Sequence, residues 1–159
     1  MNKLTASLDE QFARLHGRSC SLIEALPADK LYWQPRRSSG AFPVYSCGEH
    51  LLRSAAAVEQ TFGGITTNLW DDPFEWTLPE TLSTPARVAE YLLEVEATRR
   101  RGFSLLASDE DLRKEIAHPS GEMQTLFVLL LETLARAAHH QGQAQATFRL
   151  FSDAHLPPL

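Results

Sequence analysis

Residues Thr125 to Leu150 read TLFVLLLETLARAAHHQGQAQATFRL, and their periodicity decides the fold. Leu126, Leu130, Thr133, Ala137, Gln141, Ala144 and Phe148 recur at spacings of three and four, which places them on one face of an α-helix. A helix of ~26 residues is ~39 Å long, the height of a small domain. The apolar run stops at Glu132, with Arg136 beyond it, so the segment is too short and too charged to span a bilayer. It reads as the core helix of a soluble domain. Neighbouring residues on a helix point about 100° apart, so only one of His139 and His140 can face inward. His140 lies beside Ala137 and Ala144 of the stripe and is the candidate for chemistry, whereas His139 sits on the flank with Gln143.

Three further helical patterns precede it. The first runs from about Thr5 to Leu26, with Ser7 and Glu10 spaced as a capping box and Leu8, Phe12, Leu15, Ser19, Leu22 and Leu26 as its stripe, until Pro27 stops it. Tyr32, Trp33 and Phe42 then pack a proline-rich connection. The second helix opens at Ser46-Cys47-Gly48-Glu49, a capping box, and carries Leu51, Ala55, Val58 and Phe62 toward the core. Beside that stripe runs a row of His50, Ser54, Ala57 and Thr61, whose small members leave room around the imidazole. Gly63-Gly64 is expected to end this helix.

About 20 residues follow, with Trp70, Pro73, Phe74, Trp76 and Pro79 among them, before Thr84-Pro85 starts the third helix. Antiparallel neighbours need only ~2–8 connecting residues, so the longer segment predicts a crossover that leaves the second and third helices parallel. Its three large aromatics pack it down, and they could line one wall of a cavity at the bundle mouth. The third helix reads to about Leu106, with Val88, Leu92, Val95 and Leu106 inward and its charges outward. A short turn through Asp111 and Ile116 and the loop His118-Pro119-Ser120-Gly121 lead into the last helix. The expected fold is all-α: a single domain over residues 1–159, a four-helix bundle in up-down-down-up order, with no strand.

A content of 43% apolar residues suits a chain that buries one core without staples. The net charge of -5 and the absence of a basic stripe argue against nucleic-acid binding. The one basic cluster, Arg99 to Arg101, follows Glu90, Glu94 and Glu96 and reads as a solvated face. The N-terminal segment MNKLTASLDEQFARL is amphipathic, so no signal peptide is expected. The chain reads as cytoplasmic, with Cys20 and Cys47 as two buried thiols.

His50 and His140 could converge inside the bundle, and neutral imidazoles suit zinc, nickel or iron. A catalytic zinc takes three protein ligands and an open position, so a pair is one short. SCGEHLLRSAAAVE on the second helix, AAHHQGQAQ on the fourth and the aromatic crossover between them resemble the DinB-like family of four-helix bundles over nearly the whole chain. The resemblance implies a divalent metal held by His50, by His140 and by the residue four before it. It also implies a small-molecule substrate and an activity among the metal-dependent hydrolases, isomerases and thiol-dependent transferases.

The third family position holds Arg136, so the HxxxH pair becomes RAAHH. A guanidinium ~5 Å from a dication repels it by ~6–7 kcal/mol at an effective dielectric of ~20. Glu49, Glu94 and Gln143 are substitute ligands that spacing does not rank. The bland reading pairs Arg136 with Glu132, its neighbour one turn back. The sharper one joins Arg136, with His140 and the flanking His139 and Gln143, in a metal-free pocket for a carboxylate or phosphate. A structural homodimer through the outer helices is the third reading. His16, His118 and His155 read as surface or loop residues.

Overall fold

All seven stripe residues of the last helix are buried, and the other helices wrap around that face. The structure is a computed structural model and describes residues 3–35, 43–73, 77–117 and 121–156. Helix α1 spans Lys3–Ala25, α2 Cys47–Thr67, α3 Pro85–Ser104 and α4 Leu126–Phe148. The stripes read from the sequence on α1 and α2 are buried too, so the all-α four-helix bundle stands as expected.

Pairwise contacts give the order. His50 meets His140, Ser54 meets Ala137 and Thr61 meets Thr133, so α2 and α4 run antiparallel. Asp9 meets Arg99 and Thr5 meets Asp109 beyond the end of α3, so α1 and α3 are antiparallel as well. The start of α2 and the approach to α3 share one end, where Gly48 N donates to Leu31 O at 2.8 Å and the Tyr32 hydroxyl donates to Leu82 O. Helices α2 and α3 are therefore parallel neighbours, and the bundle is up-down-down-up. Residues 68–84 make the crossover, with Phe74 and Trp76 outside the described residues, as are Phe42 and His118.

Four local expectations need correction. Ser7 lies inside α1, where its hydroxyl donates to Lys3 O, and Glu10 pairs with Arg14. The cap comes from across the fold instead: the Asp109 carboxylate accepts Thr5 N and Thr5 Oγ1, both at 2.8 Å. Those bonds, with Leu4 N, hold its carboxyl below the usual range. Helix α2 does not stop at Gly63-Gly64 but continues to Thr67, closed by Asn68 in the left-handed region at φ 57°. Gly64 serves close approach, because a Cβ there would lie 2.4 Å from the Trp70 ring.

Two short strands are also present, β1 Glu115–Ala117 and β2 Met123–Thr125, antiparallel with Ile116 opposite Gln124. Three residues per strand leave no alternation to read in a sequence. Finally, Arg99 is not on a solvated face. It follows Val95 by one turn, on the inward row, and is 4% exposed beside Glu96 at 6%. Arg99 Nε and Nη2 donate to the two Glu96 oxygens at 2.7 and 2.8 Å, and Nη1 reaches Asp9. Burial opposes both charges, but mutual pairing outweighs it, keeping Glu96 low and Arg99 high. Arg100 and Arg101 are exposed as expected.

Candidate functional site

The row of small residues beside the α2 core stripe is the surface that meets α4. The Ser46–Glu49 capping box forms as read, with Ser46 Oγ accepting Glu49 N and Glu49 Oε2 accepting Ser46 N at 2.7 Å. It anchors the turn from which His50 projects. Ser54 Oγ donates to Ala137 O at 2.8 Å, and the Thr61 and Thr133 hydroxyls meet at 2.7 Å. These bonds satisfy the buried polar groups of the seam and fix its register.

In that register the Nδ1 atoms of His50 and His140 stand 3.5 Å apart, while the ring of Tyr45 packs edge-on against His50. Burial lowers the His50 pKa from 6.5 to about 4, helped by His140 and Arg53. His140 is lowered as well, by burial first and then by His139, Arg53 and Arg136. Both imidazoles are therefore neutral near pH 7, each with one donor and one acceptor nitrogen.

A cavity of about 340 Å³ opens beside His140. Helix α2 supplies Glu49, Leu52, Arg53, Ala56, Ala57 and Gln60, and α4 supplies Arg136 and His140. The crossover closes it with Asp72, Thr77 and Pro79, and Tyr45 enters from before α2. A second cavity of about 230 Å³ lies further along the seam, against Trp70, Leu129, Glu132 and Thr133, and shares Gln60 and Arg136 with the first.

Arg136 does not pair with Glu132. Its Nη2 lies 3.5 Å from Gln60 Oε1, and Glu132 accepts Gln124 Nε2 at 2.7 Å. His139 is exposed and touches the site only through its ring, 5.5 Å from that of His140, and Gln143 is exposed beyond it. Neither His139 nor Gln143 is among the residues lining the two cavities. Glu49 is engaged in its capping box, and Glu94 is exposed on α3. His16, expected at the surface, is half-buried with Nε2 3.4 Å from the Cys20 thiol, which is itself only half-buried. Both cysteines are free, and burial pushes the Cys47 thiol up to about 12.

Two nitrogens bound at 2.0–2.1 Å to a tetrahedral ion stand roughly 3.3–3.4 Å apart, close to the observed 3.5 Å. Among the described residues, however, no group of three or more His, Cys, Asp or Glu is placed to hold a metal ion. The residues present therefore do not fit a three-ligand centre, and Arg136, one turn before His140, lines the cavity with a cation instead.

Reading the sequence for ligands missed Arg53, Tyr45 and Gln60. Arg53 and Gln60 follow His50 and Ala56 at helical spacing, which was the signal available; Tyr45 gave none, because its approach depends on the capped turn. No family model, no curated protein and no solved structure matches the chain, and among the described residues no helix is long and apolar enough to cross a membrane.

Proposed function

We propose that the chain is a DinB-like bundle whose cavity between α2 and α4 binds a small anionic molecule through Arg136 and His140, where the family resemblance implies a metal. One observation carries the reading: Arg136, which the resemblance aligns with the third ligand, lines the cavity together with His140. A guanidinium offers a planar fork of donors that a carboxylate or phosphate accepts in pairs, and a neutral imidazole adds one N–H. Charge-assisted hydrogen bonds contribute about 1.5–3 kcal/mol each, enough for roughly ten- to a hundredfold in affinity per bond. The apolar wall of Leu52, Ala56, Ala57 and Pro79 would take the body of the ligand.

The test is a thermal-shift screen of acetate, citrate and inorganic phosphate on tag-free protein. Stabilisation that disappears in Arg136→Ala is the expected result; stabilisation that survives in this variant would overturn the assignment. A second reading, a divalent ion held by His50 and His140 alone, is favoured by their 3.5 Å spacing. Elemental analysis separates the two. Stoichiometric zinc, nickel or iron lost in His50→Ala would establish the second, whereas metal gained only in Arg136→His would support the first.

A further inference from the structure

Arg136 and Glu132 lie one turn apart on α4, where their Cβ atoms are about 5–6 Å apart. Opposite charges at that spacing ordinarily meet, yet here Gln60 engages the arginine and Gln124 the glutamate. Both side chains line the second cavity, and Arg136 also lines the first. A cation and an anion therefore face one space, each held by a neutral amide that a ligand can displace. Gln60 and Arg136 border both that space and the first cavity, with its apolar wall, and Trp70 also lines the second.

We infer that the ligand is a zwitterion of the 2-amino acid class with an apolar side chain. Its carboxylate sits on Arg136, its ammonium on Glu132, and its side chain runs into the first cavity. The inference rests on the anion-binding reading and extends it. The amino and carboxyl groups of such a molecule share one carbon, so both fit between side chains a single turn apart. A simple anion would use only Arg136 and leave Glu132 repelling it, so Glu132 discriminates against acids that lack the ammonium.

The experiment is calorimetric titration with L-phenylalanine, 3-phenylpropionate and L-phenylalaninamide, which differ only in the two charged groups. L-Phenylalanine should bind at least about tenfold tighter than either analogue, a margin of ~1.4 kcal/mol. Glu132→Gln should erase the preference over 3-phenylpropionate, and Arg136→Gln should weaken both acids alike. Glu132 is exposed, so its substitution leaves the core intact. Equal binding of the two acids, unchanged in Glu132→Gln, would overturn the zwitterion while leaving the anion site standing. The zwitterion also falls, and the anion site stands, if neither acid binds while phosphate or acetate still stabilises the protein through Arg136. If no anion acts through Arg136, both readings fall together.

Discussion

At His50 the structure turns burial into a pH dependence. The folded-state pKa is lowered from 6.5 to about 4, so between these values the unfolded chain binds more protons than the folded one. Stability contributed by the neutral ring is complete above pH 6.5 and is lost as pH falls toward 4. His140 and His16, both lowered chiefly by burial, act with the same sign. Urea unfolding at pH 7, 6 and 5 should therefore show falling stability, with a shallower slope in His50→Gln; an identical slope would mean the ring is not desolvated as described. Arg99 gives a second residue-scale prediction. Its removal leaves the buried Glu96 carboxylate only its bond to the exposed Arg100, whose Nε donates to Oε1 at 2.7 Å, so Arg99→Ala should destabilise by about 1.5–3 kcal/mol in denaturant titration. The double variant Glu96→Gln, Arg99→Met should recover most of that loss, because neither charge then remains buried. The composition of RRR suggested solvent; only the one-turn offset from Val95 pointed inward, and that signal was outweighed by the charge run.

Between elements, the parallel pair α2 and α3 depends on contact without a side chain in the way. A Cβ at Gly102 would lie 2.4 Å from the Phe62 ring, which is itself wedged between Phe12 at 5.3 Å and Phe103 at 5.2 Å. The ring has no room to retreat, so Gly102→Ala should cost about 1–3 kcal/mol, read as a lowered denaturation midpoint. A neutral effect would show that α3 can slide away from α2. Helix caps show how far local sequence reaches. Ser46 and Glu49 are three residues apart and close their own box, so sequence sufficed for α2. The cap of α1 comes from Asp109, over a hundred residues away, and no local pattern could name it.

Across the whole molecule, the described parts of the connections pack against other segments through their aromatic side chains. Trp33 stacks edge-on against Phe151 at 5.4 Å, joining the first connection to the segment after α4, and Trp70 covers Gly64 in the crossover. These indoles report tertiary packing, while far-ultraviolet circular dichroism reports the helices. Their urea transitions should coincide, as for a two-state domain. A tryptophan fluorescence transition at lower urea that persists in Trp33→Phe would mean that the crossover detaches before the bundle melts.

The sequence alone determined the four helices, their buried stripes and the parallel crossover, and it offered His50 and His140 as residues that could converge. Each follows from periodicity or from the length of a connection, properties carried by residues near one another in the chain. Tertiary structure decided which charges are buried, where α1 is capped, and that Arg136 engages Gln60 while Glu132 turns to Gln124. Those outcomes depend on which side chains from distant segments reach the same place, and on the balance between desolvation and pairing there. Periodicity located the histidines; only the folded seam showed a cavity with a cation and an anion on its wall.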